Sequence, residues 1–218
     1  MKMKRRHWMR DCSLLALMPL VSGLAAAQTP PAGPRRRVLI VGDSLSAEYG
    51  IERGSGWVAL LQKRLQGSKP PYEVINASIS GDTTAGGRSR LPVLLSQHRP
   101  SHVVIELGGN DALRGLPLSS TRENLLAMSR AAKAAGARVL LVGMQVPPNY
   151  GSAYAREFAS LFAEVARSEK TGLTPFLLKG VADRPDALDW FQPDRIHPLA
   201  KAHPLMLEQV WQGLKPLL

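Results

Sequence analysis

Two rhythms of apolar residues alternate along the chain. Short, largely apolar runs at 37–41, 72–77, 102–107, 139–143 and 174–178 read as strands, the third with Val103, Val104 and Ile105 buried on both sides. Between them the spacing changes to that of a helix. Trp57, Leu60, Leu61, Arg64 and Leu65 form one stripe within 54–66, and Pro70-Pro71 breaks it. A second helix spans about 84–98, with Leu91, Leu94 and Leu95 inward and Pro92 predicting a late start or a kink. Ser120-Thr121-Arg122-Glu123 has the form of a capping box and opens a long helix ending near Gly136. Further helices cover about 152–170, closed by Gly172, and about 199–214. Five strands alternating with helices predict an α/β fold of three layers. A five-stranded parallel sheet is covered on both faces in one domain, residues 35–218.

The first residues fall outside this pattern. Lys2, Lys4, Arg5, Arg6 and Arg10 precede a mostly apolar stretch at 13–24, and Ala25-Ala26-Ala27 offers small residues for cleavage. This predicts a secretory signal over residues 1–27, cut after Ala27, rather than a membrane anchor, and an exported, periplasmic or secreted protein. Residues 28–34 then form a Pro/Ala/Gly linker. The segment 1–27 carries five of the Lys and Arg residues and one Asp, so its loss takes the net charge from +11 to +7. The single cysteine, Cys12, leaves with it, which excludes disulfides and thiolate metal sites from the mature chain. The remaining positive charge, including Arg35-Arg36-Arg37, Arg88 and Arg90, is scattered and reads as solvated surface. It suits weak contact with an anionic membrane surface better than nucleic acid. No apolar stripe is left over for an interface, which predicts a monomer.

Candidate chemistry gathers where the strands end. Ser44, Gly81, Asn110 and the loop after Val142 all follow strand carboxyl ends, which share one edge of a parallel sheet. Ser44 in Gly42-Asp43-Ser44-Leu45-Ser46 is placed as a nucleophile or, more simply, as a turn cap. His197 is the strongest candidate base. Pro198 keeps it out of a helix, and Asp194, three residues earlier, can curl back to Nδ1; Asp186 and Asp189 are alternatives. The Asn110 side chain and the N–H groups of Gly81 and Ser44 are candidate donors to an oxyanion. Leu113, Leu116, Pro147 and Tyr150 lie on apolar loops at the same edge and are candidate acyl-chain contacts. Phosphate-loop, dinucleotide and G-x-S-x-G motifs are absent, and no histidine cluster suits a metal, so neither cofactor nor metal is expected.

Gly42-Asp43-Ser44-Leu45-Ser46, Gly81, Gly108-Gly109-Asn110-Asp111 and Asp194-x-x-His197 occur in the order of the four blocks of the SGNH, or GDSL, hydrolases, and the chain resembles that family over nearly its whole mature length. Asn76-Ala77-Ser78-Ile79-Ser80-Gly81-Asp82-Thr83, the stretch from Val104 through Gly115, and Pro147-Pro148-Asn149-Tyr150-Gly151 are most similar to bacterial periplasmic multifunctional thioesterases that are also lysophospholipases and arylesterases. The resemblance implies a flavodoxin-like strand order 2-1-3-4-5 and a Ser44, His197, Asp194 triad. It also implies an oxyanion hole of Ser44, Gly81 and Asn110. Expected substrates are acyl or aryl esters, thioesters and lysophospholipids. One departure is Arg195, where relatives frequently have glycine. Two rival readings are a sugar deacetylase, disfavoured by the few aromatics near the motifs, and a non-catalytic binding protein, disfavoured because every motif residue is present.

Overall fold

The computed structural model describes residues 36–218; the predicted signal and linker lie outside the described residues. Five parallel strands form one sheet: β1 (Arg36–Gly42), β2 (Tyr72–Asn76), β3 (His102–Glu106), β4 (Arg138–Val142) and β5 (Gly172–Thr174), in spatial order β2-β1-β3-β4-β5. The strand order is the expected one. Val38, Leu39, Ile40 and Val41 of β1 are fully buried, because helices cover the sheet on both sides. Helices α1 (Trp57–Leu65) and α6 (His203–Leu214) pack together; α2 (Thr84–His98), α4 (Leu118–Ala134) and α5 (Ser152–Glu169) pack in series. A short α3 (Gly109–Leu113) was not anticipated from the apolar pattern. Among the described residues no helix is long and apolar enough to cross a membrane.

Most strands and helices fall within one to three residues of their expected bounds, and the differences have local causes. Helix α2 neither starts late nor breaks at Pro92. Thr83 caps it by accepting the Gly86 N–H, and Pro92 lies on the exposed side, where water can reach the carbonyl it leaves unpaired. Helix α4 begins at Leu118, directly after Pro117, so Ser120 does not cap it. The carbonyl of Pro117 receives the Ser120 and Thr121 N–H groups, while the buried Thr121 hydroxyl turns to Asp111. At the end of α5, Lys170 rather than Gly172 takes the left-handed conformation, and Gly172 opens β5. That strand stops at Thr174 because Pro175 has no N–H to continue the ladder. The final helix is entered through a 3-10 turn, Ala200–Ala202.

The sheet's carboxyl edge is braced by polar links. Arg90, expected on a solvated face, instead pairs with Asp82 at 2.7 Å and donates to the carbonyls of Ala77 and Gly42. It joins the turns after β1 and β2. Asp111, fully buried, accepts the Thr84 N–H at 2.9 Å and the hydroxyls of Thr84 and Thr121, tying α3 to α2 and α4. Arg36 and Arg37 are likewise engaged, with Tyr72 and Glu73 respectively.

Candidate active site

β1 ends in a turn that carries Ser44. The Asp43 carbonyl accepts the N–H groups of Ser46 and Ala47, and the Asp43 carboxylate accepts that of Leu45 at 3.0 Å. Below the turn lies Glu106, the last residue of β3, whose Oε2 accepts the Ser46 hydroxyl at 2.7 Å and the Asp43 N–H at 3.4 Å. Gly42 lets this carboxyl approach: a Cβ there would sit 2.7 Å from Ser46 Oγ and 2.9 Å from Glu106 Oε2. Burial pushes Asp43 up to about 6 and, with the Asp43 charge beside it, raises Glu106 well above its ordinary value. Burial and the neighbouring Asp43 both disfavour the charged form of Glu106. The sequence carried no signal for this role, because a Glu within an apolar strand is legible only once the neighbouring strand is known.

His197 arrives from the other side of the molecule. Its Nδ1–H donates to Asp194 Oδ2 at 2.7 Å, and its Nε2 accepts the Ser44 hydroxyl at 2.8 Å. Asp194 Oδ1 also accepts the N–H groups of Ile196 and His197, closing the turn on itself. Partial burial opposes its ionisation, but those N–H groups and the imidazole outweigh it and hold Asp194 at about 2. The Gln192 N–H donates to the His197 carbonyl at 2.7 Å, and its side chain reaches Tyr49 and Pro198. The Tyr49 ring lies 4.3 Å from the imidazole. Asp186, one alternative partner for the histidine, is occupied instead by Arg184 and Trp190. His203 accepts the Trp57 N–H, and burial lowers it to about 4, which leaves it neutral and structural.

Asn110 stands between these parts. Its Nδ2 donates to Asp43 Oδ2 at 3.1 Å and to the Asp82 carbonyl at 3.0 Å, which orients the amide. Gly81, at φ +79°, is on the adjoining turn, and its carbonyl accepts from Arg114 at 2.7 Å. A cavity of about 630 Å³ opens beside Ser44, His197 and Asn110, and Gly81 is not part of its wall. Of the four expected acyl contacts, Leu113 and Pro147 line it. Leu116 and Tyr150 do not: Leu116 is exposed beyond α3, and Tyr150 stacks on Tyr154. The rest of the apolar wall comes from Met144, Val146, Phe176, Leu178, Leu188 and Ile196. Those from Phe176 onward were missed, because the segment after β5 has no periodicity to mark an inward face.

A parallel sheet with a serine, a histidine and a carboxylate in hydrogen-bonded series at its carboxyl edge defines a serine hydrolase of the SGNH type. The chain belongs to the GDSL-like lipase/acylhydrolase family, whose pattern matches residues 40–205. It is 51% identical over 204 residues to "Esterase TesA" of Pseudomonas aeruginosa, covering 94% of this chain and 96% of that protein. It is 39% identical over 203 residues to "Thioesterase 1/protease 1/lysophospholipase L1" of Escherichia coli K12, covering 93% and 91%. The crystal structure of TesA superposes with a TM-score of 0.79 at 52% identity, covering 84% of this chain and all of that one.

Proposed function

We propose that this protein hydrolyses carboxylic esters and thioesters through an acyl-enzyme formed on Ser44. The observation that carries the reading is the unbroken hydrogen-bond series from Ser44 Oγ to His197 to Asp194, at 2.8 and 2.7 Å. As Ser44 Oγ attacks the carbonyl carbon, its proton passes to His197 Nε2. The resulting oxyanion is stabilised by the N–H groups of Ser44 and Gly81 and by the Asn110 amide, which shares a proton now directed at Asp43 or Asp82. His197 then protonates the leaving alcohol; a thiolate can depart unprotonated. Water attacks the acyl-serine, gives its proton to His197, and the acid is released as Ser44 recovers its hydrogen. Asp194 keeps the imidazole in the tautomer that leaves Nε2 free and stabilises the imidazolium.

The apolar cavity supports medium or long acyl chains, and the name of the Escherichia coli relative supports thioesters and lysophospholipids as substrates. The N-terminal segment supports export, and the reading is of a monomer that touches anionic membrane surfaces weakly. Hydrolysis of p-nitrophenyl esters from acetyl to palmitoyl, with Ser44→Ala beside the wild type, tests the proposal. Activity rising beyond acetyl and abolished in the variant supports it. A preference confined to acetyl points to a deacetylase, and an inert wild type removes the esterase reading.

A further inference from the structure

Among the described residues, four other than glycine have positive φ, and three have evident reasons. Arg99 and Lys170 terminate helices α2 and α5, where a left-handed residue with a positive side chain is favourable. Glu48 uses its carboxylate to accept the N–H groups of Gly54 and Gly56. Arg195, at φ +60°, closes the turn that presents His197, its N–H donating to the Gln192 carbonyl at 2.9 Å. Glycine would satisfy that turn with less strain. The Arg195 side chain makes no hydrogen bond or ion pair among the described residues, yet it lines the cavity, where it is the only lysine or arginine. A strained backbone therefore holds an uncommitted guanidinium at the mouth of the site.

Its position relative to His197 says which part of a substrate it meets. The imidazole must reach the leaving oxygen to protonate it, so the alcohol portion of an ester lies against the histidine turn while the acyl chain occupies the apolar wall. The carboxylates of the cavity, Asp43 and Asp183, and that of Asp194 in the same turn as Arg195, compete little for the guanidinium. Asp194 is engaged by three donors, Asp43 is buried beneath the serine, and Asp183 accepts the Gly180 N–H at 2.6 Å. Arg184, nearby in the chain, is taken by Asp186 and stacks on Trp190.

Building on the esterase reading above, we infer that Arg195 is a specificity residue that binds an anionic group, a phosphate above all, carried by the leaving alcohol. The two-nitrogen face of a guanidinium matches two phosphate oxygens. The test compares 1-octanoylglycerol 3-phosphate with 1-octanoylglycerol below their aggregation thresholds, so that attraction to a lipid surface plays no part. The acyl group and scissile bond are the same; only the phosphate differs. The wild type should favour the phosphorylated ester in KM. Arg195→Gly, which suits the turn's φ, should narrow the ratio of kcat/KM values by about tenfold, the effect of one partly exposed charge-assisted hydrogen bond. Arg195→Lys should restore part of the ratio, and added salt should shrink it in the wild type but not in Arg195→Gly. An unchanged ratio in Arg195→Gly would overturn the inference. So would a wild type that cleaves p-nitrophenyl octanoate but does not discriminate between the glycerides. If p-nitrophenyl octanoate is also untouched, the esterase reading fails first and takes this inference with it.

Discussion

The two halves of the candidate site are built on opposite physical terms. Around Ser44 the supporting groups are buried: Asp43 and Glu106 are each 2% exposed, and the sheet brings them together by pairing Gly42, the last residue of β1, with Glu106, the last of β3. Around His197 the support is a turn at the surface, with the Asp194 side chain 37% exposed and most of its partners within three residues. Carboxyl groups in the two halves respond in opposite directions. Burial raises Asp43 and Glu106, whereas local N–H donors lower Asp194. Ser44 is positioned by tertiary packing and His197 by a self-contained turn, so the first is sensitive to the core and the second to single hydrogen bonds.

The largest expected effect removes the element both halves serve. Ser44→Ala should reduce turnover by about 10⁴-fold or more with the fold intact, read as kcat on a p-nitrophenyl ester and as an unchanged Tm. Asp194→Asn tests the exposed half, and kcat should fall by about 10²- to 10⁴-fold as the imidazole loses its preferred tautomer. Near-normal turnover in that variant would mean that the turn positions His197 without its carboxylate. Asn110→Ala, at the junction of the halves, should lower kcat about 100-fold or more, with KM changed far less.

In the buried half, Glu106→Leu leaves the Ser46 hydroxyl and the Asp43 N–H without their acceptor. Unfolding in urea should show a loss of about 1–3 kcal/mol, and Glu106→Gln should recover most of it. Equal stability of Glu106→Leu and the wild type would show that the buried carboxyl is not what holds the serine turn.

The smallest effects are in pH dependence. Asp194, lowered from 3.8 to about 2, stabilises the fold above pH 4, and that contribution disappears as the pH falls towards 2. Asp43, raised from 3.8 to about 6, does the reverse: the native state retains a proton the unfolded chain has lost, so stability declines as pH rises from 4 to 6. Urea midpoints measured across pH 2–7 should lose the acid limb in Asp194→Asn and the 4–6 slope in Asp43→Asn. Both slopes persisting in both variants would assign them to other groups.

Much of this was legible in the chain itself. The sheet alternation, the edge that carries Ser44 and Asn110, and the three-residue spacing of Asp194 and His197 are local patterns, which periodicity and turn chemistry express directly. The capping box at Ser120 misled because Pro117 starts the helix earlier and Asp111 recruits Thr121. Leu116 and Tyr150 were placed in the wall by loop membership alone, whereas the wall also draws on Phe176, Leu178, Leu188 and Ile196 from a segment without regular structure. Arg90 and Glu106 looked like ordinary charged residues because their partners, Asp82, Gly42, Asp43 and Ser46, lie on other turns and strands.

By itself the sequence determined the layered α/β fold and the sheet edge on which Ser44 and Asn110 fall, since both follow from hydrophobic periodicity and from what a strand-to-helix turn exposes. Only the tertiary structure decided that a serine and a histidine 153 residues apart come within 2.8 Å, that a buried glutamic acid accepts the Ser46 hydroxyl beneath the serine turn, and that Arg195, with no side-chain hydrogen bond or ion pair among the described residues, lines the cavity. Those outcomes depend on which distant groups share a buried space. Desolvation and partner choice there depend on three-dimensional neighbours rather than on neighbours in the chain.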